Sequence, residues 1–218
     1  MLDARFPHQS LPSQTLPRRR VLGAAGLLAA GELGVPDLAG AATPRPRVAI
    51  KTAHGTITVV LEDRRAPLTC ANFLRYVDAQ AYDGGSFFRA ARDPGHPTEG
   101  QIVGRPHPKN HPFPPIAHES TTLTGLRHLT GTISLGRFEP GSATCDFFIC
   151  ASPEPYLDAH PGEKGDNLGY AAFGQVTSGL RVVARILSLP TDGKTNFVDQ
   201  KGQWLNPPVI ISSMTRVG

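Results

Sequence analysis

Short segments with the alternation of β-strands recur along the chain from residue 48 to its end, whereas only two segments have helical periodicity. Residues 48–62 alternate β-branched and polar side chains on both sides of His54-Gly55, which predicts a hairpin with a tight turn. Because the edge strands of an open sheet are left unpaired, many short strands with few helices favour a sheet that closes on itself. The pattern therefore predicts a mainly β fold with a closed or nearly closed sheet.

The other predicted elements are separated by segments rich in glycine and proline. Pro67 suits the first turn of one amphipathic helix, and Ser178 is the predicted cap of a second helix within residues 178–190. Residues 92–118 combine many prolines and glycines with several histidines, and we expect a long irregular loop there. Further strands are predicted at 86–90, 131–136, 146–151 and 171–176, and in the final segment "PPVIISSMTRV".

Charge and cysteine content argue against several classes of function. The formal net charge is +4, but three of the 22 basic residues form the run Arg18-Arg19-Arg20, and the others are scattered among acids. No nucleic-acid partner is therefore expected. Cys70, Cys145 and Cys150 match neither a redox motif nor a zinc ribbon, and we expect buried, unpaired thiols.

The sequence offers little for a metal or a cofactor. A metal site could be built from His107 and His111, but the prolines between and after them prevent a helix that would place both on one face. No phosphate-binding loop, Ser-His-Asp arrangement or metal cluster has a credible spacing. We therefore expect solvated loop histidines, no metal and no cofactor.

Residues 1–42 have the layout of an export signal: arginines, then an apolar run at 21–30, then small residues at 39–42. The run has about ten residues, and a stable membrane anchor needs about twenty. The segment Arg18-Arg19-Arg20-Val21-Leu22 resembles the twin-arginine export signal, with Pro17 where that signal usually has serine or threonine. This resemblance implies a bacterial protein exported to the periplasm or the medium. The alternative for residues 1–42 is a disordered basic tail. Residues 43–47 are predicted to be a short Pro-rich lead, and residues 48–218 are predicted to form one domain.

Five motifs in register resemble those of the cyclophilin-type peptidyl-prolyl cis-trans isomerases, and the resemblance covers about residues 47–217. It implies an eight-stranded antiparallel barrel capped by two helices, a cyclophilin-like fold. The motifs are "FFR" at 87–89, "GTISLGR" at 131–137, "SATCDFFICAS" at 142–152, "YLD" at 156–158 and "GYAAFGQVTSGLRVV" at 169–183.

Arg89 matches the catalytic arginine of that family. Rotation about an X-Pro bond is slow because amide resonance sets a barrier of about 18–20 kcal/mol. A guanidinium that donates to the prolyl nitrogen weakens this resonance, and arginine carries five N–H donors and stays charged at neutral pH. The alternative is a surface arginine that happens to lie beside core aromatic residues.

The resemblance also implies a set of substrate contacts, and this chain departs from the family at several of them. Because Phe147 and Phe148 alternate along a strand, one is expected in the core and the other in the groove. Pro94-Gly95 stand where the family has a Phe and a Met that line the proline pocket. The implied pocket walls are Phe148, Leu157 and Tyr170, and the implied polar contact Gln101 stands about four residues later than usual. Gly136 and Arg137 belong to a segment that meets the peptide mainly through its backbone, and Asp146 stands in place of a glutamine.

These features predict a peptidyl-prolyl cis-trans isomerase that assists the folding of exported proteins. The replaced Phe and Met favour the alternative, a non-catalytic peptide-binding or chaperone module on the same fold, and an unrelated secreted β-protein is a third possibility. Arg137 and Asp146 lead to the hypothesis that charged residues beside proline are preferred. The expected partners are proline-containing polypeptides, and we expect a monomer without a stable membrane anchor.

Overall fold

Eight antiparallel strands form a closed barrel in a computed structural model of the chain, which describes residues 44–110 and 113–218. The strands are hydrogen-bonded in the order β1-β2-β7-β5-β6-β4-β3-β8. The predicted closed eight-stranded barrel is thus confirmed. The strands are β1 (Arg47–Thr52), β2 (Gly55–Leu61), β3 (Ser86–Asp93), β4 (His96–Arg105), β5 (Thr132–Leu135), β6 (Phe147–Cys150), β7 (Ala171–Ser178) and β8 (Trp204–Val217).

The export signal predicted at 1–42 and the residue His111 lie outside the described residues. Within the described part of the chain, no helix is both long and apolar enough to cross a membrane. The same part contains no group of three or more His, Cys, Asp or Glu side chains that could hold a metal ion. The three cysteines are all described and unpaired, and Cys145 is only half-buried.

The barrel interior is filled by side chains that alternate along the strands and by one helix face. Phe73 on the first helix lies against the rings of Phe147 and Phe173, with ring centroids 5.7 and 5.1 Å away. Glu119, 50 residues further along the chain, accepts hydrogen bonds from the amide of Thr69 (2.8 Å) and its hydroxyl (2.7 Å), which ties this helix to the following segment.

Within residues 44–110 and 113–218, three α-helices accompany the barrel where two were expected: α1 (Pro67–Asp78), α2 (Thr121–Thr124) and α3 (Leu180–Leu187). Helix α2 is a single turn, too short to show helical periodicity in the sequence. The prediction that Ser178 caps the last helix is wrong, because Ser178 ends β7 and Gly179 is the cap residue, with no side-chain cap. Gly179 has φ 98°, and a Cβ there would lie 2.4 Å from the backbone oxygen of Thr56.

The prediction of an irregular loop over 92–118 is wrong for its first half, because β3 continues to Asp93 and β4 occupies His96–Arg105. Pro94-Gly95 form the exposed turn of this hairpin, so the additional residues lengthen the hairpin. Glycine in β4 has a packing role: a Cβ on Gly104 would lie 2.5 Å from the ring of Phe147. The composition was therefore typical of a loop, although the second half of the strand, residues 100–105, is largely buried and β4 lies between β3 and β6.

A β-bulge in β3 sets the direction of the predicted catalytic side chain. The register shifts between Phe87 and Arg89 against both β4 and β8, so that Phe88 has no paired partner. Phe87 and Ala90 belong to the barrel core, whereas Phe88 belongs to a second, smaller apolar cluster and Arg89 is half-exposed. Two consecutive residues thus face away from the core, which strict alternation along a strand would not allow.

Candidate active site

The second apolar cluster, here called the outer cluster, lies on the outward side of the barrel. Phe148 belongs to it while its neighbour Phe147 is in the core, as the predicted alternation requires. The ring of Phe148 meets that of Tyr170 nearly at right angles, with centroids 5.4 Å apart. The buried members are Phe88, Val103, Phe148, Cys150 and Leu157, and the half-buried Tyr170 and Trp204 pack against them.

Arg89 lies at the edge of the outer cluster, paired with Val103 on β4 and Trp204 on β8. Its Nε donates to Oε1 of Gln203 at 2.7 Å. Its two terminal nitrogens make no hydrogen bond within the described part of the chain. Burial lowers the pKa of the Arg89 guanidinium, and the charge of Asp199 opposes this change. The side chain is therefore oriented by one contact and keeps two donor groups for a ligand beside an apolar surface.

Gln101 lies beside the outer cluster but not directly opposite Arg89. It is paired with Ala91 on β3 and Cys150 on β6, two residues before Val103 along β4. Its Oε1 atom is buried and has no partner in the described residues. Its predicted contact with a substrate stays a prediction, as do those of Phe148, Leu157 and Tyr170.

The predicted contacts Gly136 and Asp146 lie together at the base of the β5–β6 loop. The amide of Gly136 donates to the carbonyl oxygen of Asp146 at 2.7 Å. Burial raises the pKa of the Asp146 carboxyl, and the charge of Arg105 opposes this increase. The two residues therefore hold the ends of this loop next to β6.

Arg137, another predicted contact, is engaged with the protein itself. Its terminal nitrogens donate to both carboxylate oxygens of Asp166, at 2.5 and 2.9 Å, and its Nε donates to the carbonyl of Gly169 at 2.8 Å. The guanidinium also lies 5.2 Å from the centre of the Tyr170 ring. Its side chain is only 4% exposed, so Arg137 holds the segment that carries Tyr170.

We expect Arg137→Ala to raise KM for a proline tetrapeptide about fivefold, because Tyr170 and Gly169 lose their support, while kcat changes less. Arg216→Ala is the matched control, since Arg216 pairs with Asp78 in an ion pair between β8 and α1. Steady-state kinetics of both variants provide the test. Equal KM values for the two variants would contradict this role of Arg137.

A buried Ser-His-Asp arrangement, which no spacing in the sequence indicated, lies behind Phe148. His128 Nδ1 lies 2.7 Å from Oδ1 of Asp158, and its Nε2 lies 2.9 Å from Oγ of Ser134. The imidazole stacks on the ring of Phe148, with centroids 5.7 Å apart and planes 18° apart. Because the side chain of His128 is 0% exposed and Ser134 is fully buried, the arrangement supports the cluster from within the protein. The three residues come from three segments, so no sequence spacing could reveal it.

We expect the free energy of unfolding to decrease as the pH falls below about 6.5, in part through His128. Burial lowers the pKa of the His128 imidazole below its ordinary value of 6.5, and Asp158 opposes this shift. As the pH falls through 6.5, the unfolded chain binds a proton that the folded protein does not yet bind. The contribution of neutral His128 to stability is therefore fully present above pH 6.5 and is lost as the pH falls from 6.5 to the folded pKa. Denaturant unfolding of the protein and of His128→Asn, at about pH 7.5 and 5.5, measures it. The variant should have the smaller pH dependence; the same dependence in both would refute the assignment to His128.

Comparisons with known proteins agree with this fold. The family model for cyclophilin-type peptidyl-prolyl cis-trans isomerases matches residues 47–216. Peptidyl-prolyl cis-trans isomerase A of Dickeya dadantii is 36% identical over 174 residues, which cover 79% of this chain and 85% of that protein. The isomerase cyp18 of Streptomyces antibioticus is 33% identical over 172 residues, covering 78% and 98% of the two chains.

A solved structure of similar fold is a cyclophilin-type isomerase of Cryptosporidium parvum, crystallised in the presence of the dipeptide Ala-Pro. It has a TM-score of 0.60 and 18% identity, and the match covers 79% of this chain and 99% of that one. The closed barrel and the sequence relatives define the class as a cyclophilin-fold enzyme. The chain belongs to the cyclophilin-type peptidyl-prolyl cis-trans isomerase family.

Proposed function

We propose that the protein accelerates cis-trans isomerisation of X-Pro bonds in polypeptides, with Arg89 donating to the prolyl nitrogen and the outer cluster holding the proline ring. The observation that carries this proposal is the arrangement of Arg89: one nitrogen is held by Gln203, and the terminal nitrogens have no partner among the described residues and lie beside an apolar surface. Proline-containing peptides suit such a surface, and the Cryptosporidium structure was obtained with Ala-Pro.

In this mechanism no bond is broken, and catalysis depends on binding the twisted amide more tightly than either planar form. When the amide twists, its nitrogen lone pair localises and becomes a better hydrogen-bond acceptor, and Arg89 is placed to donate to it. Phe148, Leu157 and Tyr170 provide apolar contacts for the ring, and His128 holds Phe148 from behind.

The alternative of a non-catalytic peptide-binding module has one structural observation in its favour. Pro94-Gly95 lie in the exposed hairpin turn, so the positions expected to supply a Phe and a Met to the pocket do not contribute to the outer cluster. Val103, Phe88 and Trp204 supply apolar surface next to Arg89 instead. We infer that these residues complete the pocket.

Isomerisation and binding assays on the full chain separate the two functions. A proline tetrapeptide is used for turnover, and its affinity is measured in parallel by fluorescence. Rate enhancement that disappears in Arg89→Ala, with peptide affinity largely kept, is the result expected for the enzyme. Peptide binding without rate enhancement in the unmodified protein would support the binding module and refute catalysis.

We also propose that the protein is exported, to the periplasm or the medium, where it assists the folding of other exported proteins. The support is the segment Arg18-Arg19-Arg20-Val21-Leu22, followed by an apolar run and small residues. Expression of the full chain in a bacterial host, followed by fractionation, is expected to yield a shortened chain outside the cytoplasm. Replacing all three arginines by lysine should retain it inside. Full-length protein in the cytoplasm for both forms would overturn the proposal.

A further inference from the structure

Arg105, the last residue of β4, extends its guanidinium over the outer cluster. The Cζ atom lies 4.2 Å from the centre of the Phe88 ring and 5.3 Å from that of Trp204. The rings of Phe88 and Trp204 themselves meet edge to face, 5.1 Å apart. A guanidinium that lies with its face on an aromatic ring leaves the N–H groups at its edge for hydrogen bonds. The position of the charge is therefore set by packing and not by an acidic partner.

The guanidinium N–H groups of Arg105 have no hydrogen-bond or ion-pair partner in residues 44–110 and 113–218. No hydrogen bond joins them to another described residue, and no carboxylate oxygen lies within ion-pair distance. The nearby carboxyl of Asp146 is influenced by the charge of Arg105 but is not paired with it. This state differs from that of Arg137, whose nitrogens are occupied by Asp166 and Gly169.

Arg105 also lies close to the predicted catalytic centre. It is two residues beyond Val103 on β4, and Val103 is the residue opposite Arg89. Phe88, over which Arg105 lies, directly precedes Arg89 in the bulge. A peptide whose proline occupies the outer cluster beside Arg89 would thus bring its neighbouring side chains within reach of a second guanidinium.

We propose that Arg105 is a specificity-determining residue that binds the carboxylate of an acidic side chain next to or near the proline of the substrate. This inference rests on the proposed function and names the class of peptide that the same site prefers. It replaces Arg137 as the source of any charge preference, because the guanidinium of Arg105 lies on the outer cluster with donors that no described residue occupies, whereas the donors of Arg137 are held by Asp166 and Gly169. A carboxylate suits these donors because a guanidinium can bind both of its oxygens at once.

The test compares pentapeptides with a central proline that carry Glu, Gln or Lys at one of the four other positions, two before proline and two after it. The readout is the ratio of kcat/KM for the Glu peptide to that for the Gln peptide, because this ratio cancels general effects of a substitution on activity. At one position or more, we expect a ratio of about five for the unmodified protein, decreasing as salt is added. In Arg105→Gln the ratio should fall to about one, and in Arg105→Glu the Lys peptide should become the preferred one.

Arg216→Gln, a substitution of an arginine that is paired with Asp78, is the matched control and should keep the ratio. If Arg105→Gln does not fold, Arg105→Lys, which retains the charge without the planar donors, should show an intermediate ratio. A ratio near one at all four positions in the unmodified protein, or a ratio that persists in Arg105→Gln, overturns the inference. The ratio of the Glu peptide to the Gln peptide is also measured for binding affinity. Absence of turnover would therefore refute the proposed catalysis, while the affinity ratio would still test the preference assigned to Arg105.

Discussion

Arg89→Ala is expected to lower kcat/KM for proline peptides by about a hundred- to a thousandfold while the barrel stays folded. Removing one preorganised donor from a transition state typically has an effect of this size. The fold should survive because the side chain is half-exposed and makes a single hydrogen bond to the described residues, with Gln203. Isomerisation kinetics together with circular dichroism measure the two effects separately.

Arg92→Ala provides the matched control on the same strand. Arg92 donates to the carbonyls of Leu187 and Leu189 at the end of α3, so its removal should lower the melting temperature and leave kcat/KM within about twofold. Arg89→Lys, which keeps the charge but not the planar donors, should remain closer to Arg89→Ala than to the unmodified protein. If Arg89→Ala retains more than about a third of the activity, the catalytic donor is a different residue.

The adjacent residues Phe147 and Phe148 should respond to alanine in opposite ways. Phe147 is 0% exposed and contacts the rings of Tyr82 and Phe87 in the barrel core, at 5.4 and 5.7 Å. Phe147→Ala is expected to lower the free energy of unfolding by about 3–5 kcal/mol, because the closed barrel cannot collapse around the cavity. This loss is a large fraction of a typical total of about 5–15 kcal/mol.

Phe148→Ala is expected to reduce kcat/KM by about ten- to a hundredfold, with a smaller loss of stability than Phe147→Ala. Phe148 lies in the outer cluster, between His128 and Tyr170, where neighbouring side chains and water can fill the space. Denaturant unfolding and kinetics, expressed per folded molecule, compare the two variants. If Phe147→Ala loses as much activity per folded molecule as Phe148→Ala, the assignment of one ring to the core and the other to the groove is wrong.

Much of the fold could be predicted because local patterns record burial. The alternation in residues 48–62 predicts a hairpin, and the structure has β1 and β2 there, with Thr52 paired with Gly55 at the turn. The assignment of Phe147 and Phe148 to opposite faces has the same origin. By contrast, β4 could not be recognised, because its glycines permit close packing against β3 and Phe147, contacts that the local sequence does not reveal.

The residue types of the candidate site could be proposed from the sequence, but the contacts between these residues could not. Arg89, Phe148, Leu157 and Tyr170 come from motifs, and the structure brings them to one side of the barrel. The holder of Arg89 is Gln203, 114 residues further along the chain. Trp204, His128 and Arg105 were missed, since each stands in a segment without a distinctive motif.

The sequence by itself determined the family, the order of most strands and the residues available for chemistry, because periodicity and motifs are properties of short segments. Only the tertiary structure decided which arginine has its donors occupied by other described residues and which does not, as Arg137 and Arg105 show. It also decided the direction of Arg89, through a bulge defined by its pairing with two other strands. The physical reason is that hydrogen-bond and charge partners are selected when barrel closure brings together residues that are far apart in the chain.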